Sequence, residues 1–177
     1  ERHTICSRHG THAASAAERF DFVHSSTDID TTISDVEANT LFILTRHDSH
    51  ANLVARALEH GKNVFVEKPL AISLEQLAKV VHAFEKSSLP HFQIGFNRRH
   101  SPAIARVRDF FAERNEPMCL EYFVNAGAVP SGSWIQRSDI GGGRIIGEVC
   151  HFIDLFQALT ASSWQSLTAD WVGSPSD

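Results

Sequence analysis

Apolar positions fall into two alternating rhythms from residue 4 to about residue 113. Short β-branched or aromatic runs lie at 4–7, 41–45, 63–69 and 91–96. Runs of this length with no alternating polar face suit strands buried on both sides of a parallel sheet. Between them the spacing lengthens to i, i+3, i+4, i+7, the stripe of an amphipathic helix. The stripes are Ala13, Ala16, Ala17 and Phe20; Ala51, Val54, Ala55 and Leu58; Leu74, Leu77, Ala78 and Val81; and Ile104, Val107 and Phe111. Punctuation agrees with these elements. Asp48 or Ser49 caps the second helix, and Gly61 ends it. Ser73 and Gln76 form a capping-box pattern ahead of the third. Ser101 caps the fourth, with Pro102 as its first helical residue. Residues 29–33 make one helical turn between two polar connections. Strand and helix alternating in this way predict an α/β fold with a doubly wound parallel, Rossmann-like sheet.

The texture changes after Pro117. Residues 118–125 read as a strand, followed by an irregular stretch through Trp134 to Asp139. The triplet Gly141-Gly142-Gly143 then precedes a helix striped by Ile146, Val149, Cys150 and Ile153, and residues 167–172 start one more strand. This part reads as the start of an α+β domain, so the expected division is 1–113 and 114–177.

Composition narrows the function. The chain has 177 residues, 42% hydrophobic and 21% charged, ordinary for a globular protein with one core and part of a second. A formal net charge of −5 with mixed signs and no dense Lys/Arg run argues against a nucleic-acid surface. No apolar run is long enough for a membrane span, and no signal-peptide pattern opens the chain. Cys6, Cys119 and Cys150 are far apart and odd in number, as free thiols in a reducing compartment would be. A cytoplasmic protein is expected, with no membrane or nucleic-acid partner. The closest histidine pair, His47 and His50, has no third ligand nearby, so no metal site is expected.

The chemistry gathers at strand ends. Residues 63–69 read Asn-Val-Phe-Val-Glu-Lys-Pro, which puts Glu67 and Lys68 at the carboxyl end of a buried strand, where open α/β sheets bind ligands. Pro69 keeps Lys68 extended. The run Thr45, His50, Ala57-Leu58, Gly61-Lys62, Val64 and Glu67-Lys68-Pro69 resembles the Rossmann half of the Gfo/Idh/MocA oxidoreductases, named for glucose–fructose oxidoreductase and inositol dehydrogenase. Gly95-Phe96-Asn97-Arg98-Arg99 with Pro102, and the glycine triplet followed by His151 and Asp154, continue the likeness from about residue 4 to about residue 172.

The resemblance implies a dinucleotide-binding domain over 1–113 and the start of a substrate and oligomerisation domain over 114–177, each incomplete. It implies hydride transfer between NAD(P) and a sugar-like or cyclitol substrate. Lys68 would sit beside the nicotinamide and the reacting hydroxyl, where an ammonium favours alkoxide-like charge. His151 would take the hydroxyl proton. Ser7, Arg8, Thr45, Arg46, His47, His50, Glu67 and Asn97 fall along the cofactor by the same resemblance; Arg99, Asn125, Trp134 and Asp154 fall on the substrate side.

Three features depart from or refine that pattern. The family often has aspartate four residues before the histidine. Here Gly147 stands there and Glu148 stands next door, i−3 from His151 and within reach of the ring. Glu148 joins Lys68 and His151 as a catalytic candidate, with orientation, substrate binding and solvent exposure all open to it. The fingerprint Gly-x-Gly-x-x-Gly belongs ahead of Thr4 and is not in this sequence. Ser7-Arg8, with no acid until Glu18, favours NADP over NAD. The run Gly147-Glu148-Val149-Cys150-His151 resembles a branch whose members can be fused behind an alcohol-dehydrogenase-like region, and a homo-oligomer is compatible with the family. An inactive dinucleotide-sensing regulator or scaffold of the same fold is the alternative.

Overall fold

The computed structural model describes residues 1–88 and 91–170. The elements run β1 (Thr4–Cys6), α1 (Gly10–Phe20), β2 (His24–Ser26), α2 (Ile29–Ser34), β3 (Thr40–Ile43), α3 (His47–Glu59), β4 (Asn63–Val66), α4 (Leu74–Lys86) and β5 (Phe92–Ile94). A 3-10 turn (Asn97–His100) leads into α5 (Pro102–Phe110). Past an irregular stretch come a second 3-10 turn (Trp134–Gln136), a π-helical turn (Ile145–Val149) and α6 (Cys150–Thr160).

All strand pairs are parallel. β1 pairs with β2, and β3, β4 and β5 form a second sheet in that order. The core lies where α3 and α4 cover this second sheet: Ile43, Val64 and Val66 meet Ala51, Val54, Ala55, Leu58, Val80 and Ala83. The whole predicted α3 stripe is buried, and Gly61 has φ 67 just after the helix, as its stop signal requires. Among the described residues the facing edges of β1 and β3 are unpaired. A cleft of about 670 Å³ lies between them, lined by Thr4, Cys6, Ile33, Leu41 and Ile43 among others. Parallel strand pairing with a helix following each of β1, β2, β3 and β4 is the doubly wound, Rossmann-like arrangement.

Several elements differ from expectation. β2 is short and polar, His-Ser-Ser, and carries no apolar signal. Residues 118–125 form no strand, because no described backbone lies alongside to accept their hydrogen bonds. Residues 167–170 form none either, and the rest of that predicted strand lies outside the described residues. α3 begins at His47, ahead of the expected caps, with Arg46 at its N-cap. α4 is rotated: Val80 and Ala83 are buried, while Leu74 is 80% exposed and Leu77 and Val81 are also open. That helix has two apolar faces, and contact with α3 selects the one made of smaller residues, which allows close approach. Its cap is as expected, with Ser73 Oγ accepting from Gln76 N–H at 3.2 Å. α5 keeps its Ser101 cap but buries no residue, so Val107 and Phe111 face outward. The stripe expected along the π turn and α6 is only partly covered: Cys150 and Ile153 are half-buried and Ile146 and Val149 exposed, while Gly147, His151, Phe152, Asp154 and Leu155 are buried. The π turn shifts the register, and Asp154 on the inner face has its partner in Arg99. No described helix is long and apolar enough to cross a membrane.

Leu58 is 2% exposed in this core, so Leu58→Ala is expected to cost about 2–5 kcal/mol. Leu74→Ala is expected to stay within about 0.5 kcal/mol. Chemical denaturation of the two variants compares them, and equal losses would contradict the observed face of α4.

Candidate active site

The carboxyl ends of the parallel strands meet the π turn and α6 on one side of the molecule. β4 is tied to β3 by Glu67 N–H donating to the Ile43 carbonyl at 2.9 Å, which sets Glu67 and Lys68 at the sheet's end. The Lys68–Pro69 peptide bond is cis. Gly95 leaves room for the Glu67 carboxylate, which would stand 3.2 Å from a Cβ there.

Lys68 reaches across to the π turn. Its Nζ donates to the Gly147 carbonyl at 2.6 Å and to Glu148 Oε2 at 3.2 Å. The other Glu148 oxygen, Oε1, accepts from Arg98 Nη2 at 3.1 Å. Burial alone would raise the Glu148 carboxyl, but the hydrogen bond and charge of Lys68, helped by His151 and Arg98, hold it below its ordinary range. Glu148 thus bridges two cations. A π turn is an uncommon geometry found often at functional sites, and here it delivers both the 147 carbonyl and the 148 carboxylate to one ammonium.

His151 follows on α6, 5% exposed, with the Phe96 ring edge-on at 6.1 Å. Its Nδ1 is buried and has no hydrogen-bond partner among the described residues, a costly state for a polar atom. Burial first, then the charges of Lys68 and Arg98, lower its pKa, against a smaller opposing pull from Glu148 and Glu67. The ring is therefore neutral near pH 7 and able to accept a proton. Three residues on, Asp154 receives the fork of Arg99, Nε to Oδ2 at 2.8 Å and Nη2 to Oδ1. This ion pair clamps α6 to the first 3-10 turn and raises the Arg99 pKa.

The glycine triplet closes the other flank. A Cβ at Gly141 would lie 2.3 Å from the Ile135 carbonyl oxygen, and Gly142 has φ 74, so neither position takes a larger residue without rearrangement. The Gly141 carbonyl accepts from His47 Nδ1 at 2.8 Å. His47 also meets the edge of Trp134 at 4.9 Å, and Arg46 lies over the same indole at 5.3 Å. Burial is the main cause lowering the His47 pKa.

Other sequence candidates sit apart or act at one remove. His50 is fully buried, its ring nitrogens 2.8 Å from the Pro69 carbonyl and 2.9 Å from that of Thr45, so it braces two loops. Thr45 is exposed and shares a 2.6 Å hydrogen bond with Ser49. Asn97 is exposed and opens the 3-10 turn after β5; Ser7 and exposed Arg8 follow β1. These positions share the strand-end side on which a dinucleotide lies in such a sheet, and in that respect the residues present fit one. Asn125 lies in the exposed irregular segment, and its side chain only accepts from Gly127 N–H at 3.3 Å. Arg98 and the Gly147 carbonyl were not singled out from sequence. Nothing in the spacing pairs residue 98 with residue 148, and a carbonyl leaves no mark on residue type.

Comparison with known proteins adds an independent line. The family model for oxidoreductases with an NAD-binding Rossmann fold, Gfo/Idh/MocA, matches residues 1–96. Levoglucosan dehydrogenase of Pseudarthrobacter phenanthrenivorans is 29% identical over 169 residues, covering 90% of this chain and 43% of that protein. The scyllo-inositol 2-dehydrogenase (NAD(+)) of Bacillus subtilis is 30% identical over 138 residues, covering 77% of this chain and 39% of its own length. A structure of levoglucosan dehydrogenase with NADH and levoglucosan superimposes with a TM-score of 0.79 at 30% identity, over 89% of this chain and 44% of that one. The chain thus spans less than half the length of these relatives.

The lowered pKa values of His47 and His151 predict how stability varies with pH. Each is held neutral in the fold, so its stabilising contribution is complete above the unfolded value near 6.5. It is lost as pH falls through the lower folded value. Denaturation from pH 7.5 to 5 is expected to show falling stability, with a shallower slope in His151→Asn. A stability that rises on acidification would refute the neutral, buried state.

Proposed function

The chain belongs to the Gfo/Idh/MocA oxidoreductase family, with its NAD-binding Rossmann fold, and on that premise we propose that the whole protein is an NAD(P)-dependent dehydrogenase or reductase. Its substrate would be a sugar-like or cyclitol alcohol, or the matching carbonyl compound. The reading rests chiefly on one observation: the Lys68 ammonium and the unpartnered, buried imidazole of His151 share the strand-end site. The relatives named for levoglucosan and inositol support the substrate class. We also take 1–113 as the dinucleotide domain and 114–177 as the beginning of the substrate domain.

The nicotinamide, when bound, supplies the hydride acceptor or donor. The protein's residues manage the proton and the charge. His151, neutral at rest, takes the hydroxyl proton in oxidation and returns it in reduction. Lys68 has three N–H donors, of which two are engaged by Gly147 and Glu148, and the third can hold the substrate oxygen. Its charge favours the developing alkoxide. Ser7, Arg8, Thr45, Arg46, His47, Glu67 and Asn97 would line the cofactor. His50 would act through the loops it braces. Trp134 would face the substrate, while Arg99 and Asp154 fix α6 beside it. A role for Asn125 would require movement of its segment.

The test uses the full-length protein. His151→Asn and Lys68→Met are each expected to lower turnover by about 10²–10⁴-fold, with cofactor affinity nearly retained. Wild-type turnover in His151→Asn would remove the mechanism and leave the non-catalytic, dinucleotide-sensing reading.

Cofactor choice is a separate expectation. Arg8 stands exposed after β1, next to the start of α1, where a guanidinium can pair with a 2′-phosphate. Tighter binding of NADPH than of NADH is expected, and Arg8→Ala should erase the difference. Titration of both cofactors decides it; equal affinities in the wild type would rule the preference out.

A further inference from the structure

We infer that Arg98 is a positioning residue for the proposed reaction: it holds the Glu148 carboxylate against one side of Lys68 and balances the carboxylate charge of the site. The inference rests on the dehydrogenase reading and assigns work to a residue outside the lysine–histidine pair.

The geometry is specific. Arg98 lies in the 3-10 turn after β5, and its guanidinium is held on two sides. One contact is the Phe152 ring, 4.8 Å below it, itself buried and packed on Tyr122 at 4.8 Å. The other is Glu148 Oε1 at 3.1 Å. An arginine fixed by a ring and a carboxylate is a rigid support. Because Arg98 occupies Oε1, Glu148 presents only Oε2 to Lys68, at 3.2 Å. Without that restraint the carboxylate could turn both oxygens to the ammonium and take the donor left for substrate, or swing to His151 one turn along.

Charge leads to the same conclusion. Lys68 and Glu148 alone would cancel, and Glu67 at the same strand end would leave the site negative. With Arg98 added, the two cations balance the two carboxylates, so the developing alkoxide meets a neutral group rather than a negative one.

His151 reports on this arrangement. The charged and titratable groups near it come from each packed element: Glu67 and Lys68 at the end of β4, Arg98 and Arg99 on the 3-10 turn, and His47 on α3 against Gly147. Glu148, Cys150 and Asp154 lie on its own segment. Of these, Lys68 and Arg98 disfavour the imidazolium, while Glu148 and Glu67 favour it. Removing Arg98 and removing Glu148 should therefore move His151 in opposite directions, which a purely structural role would not do.

The experiment measures pH–rate profiles of kcat in the full-length enzyme. Arg98→Met is expected to lower kcat by about ten- to a hundredfold, with cofactor KM changed by less than about threefold. Its acid limb should move to higher pH. Glu148→Gln should move the limb to lower pH, and Arg98→Lys, which keeps the charge, should restore the profile toward wild type. Arg98→Met added to Glu148→Gln should cost much less than in the wild type, because the two act as a unit. A wild-type rate and profile in Arg98→Met, while His151→Asn is inactive, overturns this inference and leaves the dehydrogenase reading standing. An active His151→Asn overturns the reading itself. If Arg98→Met does not fold, Glu148→Gln carries the test, and an acid limb that stays or rises counts against the inference.

Discussion

The hydrogen bond from Lys68 Nζ to the Gly147 carbonyl, 2.6 Å long across 79 residues of chain, is the constraint around which this site is built. A half-buried ammonium at a strand end needs acceptors that do not move. A helical carbonyl oxygen keeps a second lone pair beyond its bond within the helix, so the 147 carbonyl can accept from Lys68 while the chain remains helical. The π turn brings Glu148 to the ammonium and sets His151 on the inner face of α6.

Small residues make this closeness achievable. A Cβ at position 147 would stand 3.3 Å from both the Gly141 carbonyl oxygen and the His47 ring. The space left by the missing side chain is the space His47 uses to reach Gly141. Glycine at 147 and histidine at 47 are thus two halves of one packing solution. The Glu148 carboxylate faces Lys68 and Arg98, and among the described residues no hydrogen bond joins it to His151.

Two further ties hold α6 against the sheet. The Arg99–Asp154 fork is a charge-assisted, two-point contact that resists both sliding and rotation. The Phe152 ring beneath Arg98 adds an apolar anchor on the adjacent face. Together they make the histidine's position a property of the strand-end turn as much as of its own helix. On the opposite flank, His50 spans the Thr45 and Pro69 carbonyls and so couples the loops after β3 and β4. A fully buried side chain can shape a ligand site in this way without touching the ligand.

Local chemistry alone determined the alternation of strands and helices, the stop at Gly61, the Ser73 and Ser101 caps, and the placing of Lys68 at a strand end. Each depends on residues within a few positions of one another, and residue type records such effects directly. The family likeness was legible for the same reason, through short motifs at set spacing. Tertiary packing decided the rest. It chose which of two apolar faces α4 buries, because both faces satisfy the same periodicity and only contact with α3 distinguishes them. It turned part of the α6 stripe outward, since the inner face could include polar residues once Arg99 paired with Asp154. It left residues 118–125 without a strand, because pairing needs a neighbour that local sequence does not describe. And it joined Arg98 to Glu148 across fifty residues, a contact made by two folded segments meeting, with no trace in the spacing of either.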